Sequence, residues 1–335
     1  MPRLRHRRRI ADEVSPLTVP STERGVLQVC HPEWRGVRAS ALAFRDPIIE
    51  STDLGQLVGH VQSMVDAGVR LVVIQGWPPN ADRFARAAAS AGVIVAALSH
   101  SAPSQHGVDA AEAEAVAAVF GLWDEGVIDR VGTVKAGVSE AFASLGQPVV
   151  HVPNRVPVVD HVTALPLGEG IHAGVFLFPM WRKNVTTQLL ATSILGWTAH
   201  VMANPGVAYL GDDQFVVHGE LARDEFLPLM ASMDIVLNVT LSECHPMMPM
   251  EAYAMGVPCL MSRTSDLFAE NDELYDLTTV DRADEPAAVA NAAQRLLDDR
   301  DRVVPMAQRE LTRIDERAAQ AWHAFTDPAA DVGNL

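Results

Sequence analysis

The sequence predicts an α/β protein of two domains, each built on a parallel sheet with helices on both faces. Three observations carry that expectation. Short, wholly apolar runs such as Val93 to Leu98 alternate with stretches of helical period. After a segment rich in proline and glycine, residues 155–170, the same alternation starts again. A chain of 335 residues has room for two cores of ordinary size.

Taken in order, residues 1–24 show neither helical nor strand period, and Pro16 and Pro20 mark a loose lead-in. Gly25 to Cys30 reads as the first strand, followed by a loop, His31 to Arg38, that contains Gly36. Asp53 to Ala67 places Leu54, Leu57, Val58, Val61 and Val65 on one helical face, and Gly68 stops it. Arg70 to Ile74 is a strand, Asn80 caps a helix through Ala91, and Gly92 leads into the strand Val93 to Leu98. His100 stands just past that strand, where ligands bind in parallel sheets. An alanine-rich helix over about 108–122, a strand Val131 to Val134, a helix Ser139 to Leu145 and a strand Pro148 to Val152 complete the first domain, residues 25–154.

The second domain, residues 171–325, opens with the strand Gly174 to Phe178 and the loop Pro179-Met180-Trp181-Arg182-Lys183. Asn184 is placed to cap a helix running to about Leu195. Cations on a loop before a helix start suit a diphosphate, with Lys183 as a point charge and Arg182 as a fork; a solvated basic turn is the plainer reading. Gln214 to Val217 is a strand, the turn Gly219-Glu220-Leu221 leads to a helix ending near Met233, and Ile235 to Val239 is a buried strand. Asp284-Glu285-Pro286 starts a helix to about Asp298, and a last helix spans roughly 304–324 before a tail, residues 326–335.

Composition excludes several classes. The formal charge is −16 although the first ten residues hold five arginines, so the body is strongly acidic and a nucleic-acid reader is not expected. The arginine-rich start reads as a tail, with weak contact to an anionic surface as the alternative. No apolar run reaches the ~20 residues of a membrane span. Three cysteines without paired metal-ligand spacing fit a reducing, cytoplasmic setting, and no metal site is expected.

The most informative stretch runs from Ser242 to Pro258. It reads as a strand end, a turn, a short helix closed by Gly256, and a new strand near Pro258. Glu243 and Glu251 are separated by seven residues. A helix start turns free N–H groups and the positive end of its dipole toward an anion, and two carboxylates beside it accept hydroxyls. A phosphate flanked by hydroxyl acceptors describes a sugar nucleotide.

Glu243, seven residues, then Glu251 followed by Ala252-Tyr253-Ala254-Met255-Gly256-Val257-Pro258 resembles the donor-site signature of family 4 glycosyltransferases. The resemblance is strongest over about 172–299. It implies the GT-B fold, two Rossmann-like domains facing across a cleft, and retaining transfer from a nucleotide-diphospho-sugar without a metal or other cofactor. His100, Glu243 and Lys183 then take the catalytic positions. The donor is expected against Gly36, Arg182, Lys183, the Gly219-Glu220-Leu221 turn, Glu243, His245, Met247, Met248 and Glu251. Two departures stand out: Leu177-Phe178 occupy the place of the family's Gly-Arg, and Cys244-His245-Pro246 fills a turn where glycines are usual. The compact first half favours a small-molecule acceptor. A sugar-nucleotide 2-epimerase of the same fold and a non-catalytic nucleotide-binding relative are the alternatives.

Overall fold

The protein is described by a computed structural model covering residues 18–211 and 214–330. The arginine-rich start and the pair Asp212-Asp213 lie outside the described residues.

The first domain contains strands β1 (Val26–Cys30), β2 (Ile48–Glu50), β3 (Leu71–Gln75), β4 (Ile94–Ser99), β5 (Arg130–Thr133) and β6 (Val149–His151). They form one parallel sheet in the order β2-β1-β3-β4-β5-β6. Its helices are α1 (Arg35–Phe44), α2 (Val61–Asp66), α3 (Ala81–Ser90), α4 (Pro103–His106), α5 (Ala110–Asp124) and α6 (Val138–Ala143). Leu27, Val29, Val72 and Ile74 face a core shared with α3 and α5, while Val26, Val73 and Leu98 face Phe44, Trp322 and Phe325. Both faces are therefore buried, which is why the strands read as continuous apolar runs.

The second domain contains β7 (His172–Val175), β8 (Thr198–Val201), β9 (Phe215–Val217), β10 (Ile235–Asn238), β11 (Cys259–Ser262) and β12 (Thr279–Val280). Its parallel sheet has the order β12-β11-β10-β7-β8-β9. Around it lie α7 (Val185–Leu195), α8 (Arg223–Ala231), α9 (Met247–Ala254), α10 (Asp272–Thr278), α11 (Pro286–Asp298) and α12 (Arg300–Thr326). The first strand, β7, lies between β8 and β10, so the chain turns back across it. That reversal opens a crevice at the carboxyl ends of β7 and β10.

The last helix joins the domains. Leu311 and Ile314 of α12 sit in the second core, whereas Trp322 stacks on Phe44 at 4.0 Å between ring centroids and sends its Nε1–H to Asp46, 2.6 Å away. Arg130 donates to the carbonyls of Phe325 and Ala330, satisfying acceptors at and beyond the helix end. A Cβ at Gly132 would stand 2.9 Å from Leu98 and 3.1 Å from Phe325, so only glycine lets α12 approach the sheet this closely.

Several sequence expectations are corrected. The expected loop His31 to Arg38 becomes helix at Arg35, and Gly36 lies inside α1 with open space around its Cβ position. The single helix expected over Asp53 to Ala67 is a 3-10 segment, Leu54–His60, followed by the short α2. Neither Asn80 nor Asn184 caps through its side chain; both adopt left-handed backbone, with φ of 57° and 53°, and their amides bind elsewhere. Short strands β2 and β8 escaped a reading tuned to longer apolar runs.

Across the second sheet runs a chain of three imidazoles. His218 lies 2.8 Å from His200, His200 lies 2.9 Å from His172, and His172 Nε2 reaches the Gly168 carbonyl at 3.1 Å. With one proton per ring, Nε2–H of each ring donates to the next acceptor, so the neutral chain is self-consistent. Burial and the two neighbouring imidazoles push His200 down from 6.5 to about 4. A histidine neutral when folded but ready to charge when unfolded contributes stability above the unfolded value, which is lost as pH falls toward the folded one. Unfolding free energy should therefore drop between pH 6.5 and pH 4. A His200→Leu variant should be less stable at pH 7 yet show a flatter profile across that interval; denaturant titrations at fixed pH measure both.

Candidate active site

The crevice of the second sheet is lined by the loops after β7 and β10. Asn184 ties them together, its amide donating to the carbonyls of Val239 (3.2 Å) and Ala283 (2.6 Å). The Leu241 N–H donates to the Arg182 carbonyl at 2.8 Å. These bonds bring Lys183 Nζ to 2.8 Å from Glu243 Oε2, although the residues are 60 apart in sequence. Glu243 Oε1 also accepts from the Cys244 N–H at 3.1 Å. Burial raises the Glu243 carboxyl, but Lys183, the Cys244 N–H and the charge of Arg182 outweigh it and hold the group below the usual carboxylate range. Arg182 is half-buried and makes no ion pair among the described residues.

Glu251 lies one turn inside α9 and is buried. Its Oε1 takes the guanidinium of Arg223, at the start of α8, at 2.5 Å. Burial nevertheless raises its carboxyl, because Arg223 compensates only part of the desolvation. The sequence offered no sign of Arg223, since no local spacing links a helix start to a residue in another helix.

The start of α9 is a weaker anion site than its position implied. Pro246 precedes the helix and Pro249 is its third residue, so neither supplies an N–H and only Met247 and Met248 can donate at the first turn. Met247 is buried and Met248 half-buried. Gly219, at φ 76°, Glu220 and Leu221 form the turn between β9 and α8. Glu220 is exposed and pairs with Arg35 of the first domain at 2.8 Å, and the Arg35 guanidinium lies 5.6 Å from the Phe178 ring centroid.

The other wall belongs to the first domain. His100 follows β4 and is half-buried; its carbonyl accepts from Cys244 Sγ at 3.0 Å. Burial pushes His100 down to about 3, so it is neutral at physiological pH. Its Nε2 lies 2.7 Å from Gln75 Oε1, and Gln75 Nε2 reaches Gln28 Oε1 at 2.6 Å. Gln28 and Gln75 were missed, although a glutamine inside a buried apolar strand is itself a signal. A hydroxyl pair, Ser104 and Ser242 at 2.6 Å, and Lys135 Nζ on the Thr264 carbonyl at 2.6 Å also bridge the domains.

His245 is tied to the first domain through its backbone. Its carbonyl accepts from Asn154 at 2.7 Å, Asn154 accepts from Ser40 at 2.6 Å, and the buried imidazole is shifted down by desolvation. Cys244, pushed up to about 12 by burial, is a neutral thiol rather than a nucleophile. Gly36 lies in the first turn of α1, next to Arg35. The site thus combines Lys183, Glu243 and Arg182 from the second domain with His100 from the first. Among the described residues, no group of three or more histidines, cysteines and carboxylates is arranged to hold a metal.

Residues 175–299 match the family model described as Glycosyl transferases group 1. That segment contains Lys183, Glu243 and Glu251 but not His100. None of the curated proteins compared matches the chain. Among solved structures, the fold is similar to that of Anabaena HepE in complex with UDP, with a TM-score of 0.61 and 14% identity over 89% of this chain and 99% of that one. Sucrose-phosphate synthase from Thermosynechococcus elongatus is similar at a TM-score of 0.55 and 15% identity, covering 82% and 79% of the two chains. A putative UDP-N-acetylglucosamine 2-epimerase from Listeria monocytogenes gives 0.54 and 11%, covering 91% and 98%. The architecture is of the GT-B type.

Removing Lys183 alone leaves a buried carboxylate without its cation. Lys183→Met should lower stability by about 3 kcal/mol, the low end for a broken buried pair because part of Lys183 still meets water. Adding Glu243→Gln should recover most of the loss. Urea unfolding of the two single variants and the double variant measures this, and additive losses would contradict the pairing.

Proposed function

We propose that the protein is a retaining glycosyltransferase that moves a sugar from a nucleotide-diphospho-sugar to a small-molecule acceptor. The observation that carries this reading is the Lys183–Glu243 pair at the switch point of the second sheet, within the segment that matches the glycosyltransferase group 1 model.

The chemistry follows from charge. As the bond between anomeric carbon and phosphate breaks, negative charge builds on the leaving diphosphate. Lys183, with Arg182 beside it, stabilises that charge more in the transition state than in the ground state. When the diphosphate arrives, Lys183 exchanges one anionic partner for another, which frees Glu243 to accept donor-sugar hydroxyls. Glu251 presents its second oxygen to the ribose while Arg223 holds the first. His100, neutral, accepts or donates one hydrogen bond from the opposite wall. In this reading the cations and the two N–H groups of α9 neutralise the leaving group, and the reaction runs without a metal.

In this reading the acceptor lies against the first domain, where Arg35 at the start of α1 reaches across to Glu220. UDP is the first nucleotide to test, because the structure of the Anabaena neighbour contains it.

Lys183→Ala should lower kcat by on the order of 100-fold while changing the donor KM less, using ~3 kcal/mol for one preorganised donor to developing charge. Because the same change weakens the fold, Lys183→Ala/Glu243→Gln and Arg182→Ala are assayed beside it on protein shown to be folded. Full turnover by a folded Lys183 variant at saturating donor rejects the mechanism. Glu251→Gln should weaken UDP binding about tenfold or more, since a hydrogen bond to a charged group is worth ~1.5 to 3 kcal/mol; calorimetry measures it. A donor converted to its 2-epimer without any acceptor would instead establish epimerase chemistry.

A further inference from the structure

Gln28 and Gln75 are the polar residues of β1 and β3 on an otherwise apolar face. Side chains alternate along a strand, so Gln28 shares the face of Val26, and Gln75 that of Leu71 and Val73. Both glutamines are fully buried, at 0% exposure, where an amide is costly unless each end is satisfied. What satisfies them determines the orientation of a third group.

The orientation begins at α1. Gln28 Nε2 lies 3.0 Å from the carbonyls of both Ala41 and Asp46. Ala41 is in the last turn of α1, where carbonyls lack a helical partner. Two carbonyl oxygens require the N–H end of the amide, so Gln28 cannot be flipped. Its Oε1 is therefore the atom facing Gln75, at 2.6 Å, and it requires the N–H end of Gln75. Gln75 Oε1 is then the atom facing His100 Nε2 at 2.7 Å. An acceptor at that position needs a donor, so the proton of neutral His100 is on Nε2. Nδ1 keeps its lone pair and has no protein partner among the described residues.

We propose that Gln28 and Gln75 are positioning residues that lock His100 as its Nε2–H tautomer, so that its bare Nδ1 accepts a hydrogen bond from a hydroxyl of the bound ligand. A tautomer free to change could offer either a donor or an acceptor to the site. The fixed one prefers a hydroxyl and disfavours an ether or carbonyl oxygen at the same place. The ligand part of this inference rests on the glycosyl-transfer reading; the tautomer does not. The purely architectural alternative, in which the glutamines only satisfy the end of α1, requires no particular proton position on His100.

The test is a long-range proton–nitrogen correlation spectrum of the full-length protein labelled at histidine, without ligand, with His100 assigned by the signals lost in His100→Asn. The expected wild-type result is a neutral ring with the proton on Nε2 throughout pH 5 to 8. In Gln75→Leu, His100 should show a mixed or reversed tautomer while circular dichroism stays unchanged. A wild-type proton on Nδ1 overturns the proposal even if the variant fails to fold, and so does an unaltered tautomer in folded Gln75→Leu. With UDP-glucose as probe donor, acceptor-free hydrolysis by Gln75→Leu should fall about tenfold or more in kcat, as for a slightly misplaced contact, with UDP affinity unchanged. Equal hydrolysis overturns the role at the site. Wild-type protein that binds no UDP and turns over no UDP-glucose rejects the glycosyl-transfer reading instead, and the spectra alone then decide the tautomer.

Discussion

A buried charge has to be paired, and the Lys183–Glu243 pair is the interaction around which the crevice edge of the second domain is arranged. Lys183 comes from the loop after β7 and Glu243 from the loop after β10, and the two strands are neighbours only because the chain turns back across β7. The Asn184 amide and the Leu241 N–H fix the loops before either charge is considered. The cation is thereby held in place by its carboxylate partner while part of it still meets water.

The closeness of the two domains follows from how their contacts are divided. α12 begins in the second core and ends against the first sheet, with Trp322 and Phe325 filling the face that Val26 and Leu98 present. Near the crevice, the contacts are few and directional: Cys244 on the His100 carbonyl, Ser104 on Ser242, Asn154 on the His245 carbonyl. The α12 side is therefore held by apolar burial with the Arg155–Asp315 pair, and the site side by hydrogen bonds and the Arg35–Glu220 ion pair. Cys244-His245-Pro246, the turn that departs from the glycine-containing pattern, makes two of these bonds, through Cys244 Sγ and the His245 carbonyl.

The sequence by itself determined the parts that obey local rules. Apolar runs bounded by turns revealed most strands, because strands buried on both faces leave no alternation to confuse the reading. Gly256, Pro258 and Pro286 marked helix ends through backbone chemistry that holds in any context. Glu243 and Glu251 were legible because a strand end, a turn and a short helix keep them at fixed separation. Only the tertiary structure decided what those residues meet. Arg223 on Glu251, the glutamine chain behind His100, the three-histidine chain and the turn of Gly36 into α1 all join or displace segments far apart in sequence. Hydrogen bonds and desolvation depend on the distance between side chains in space, and the crossing of β7 and the return of α12 set those distances without leaving a local pattern in the chain.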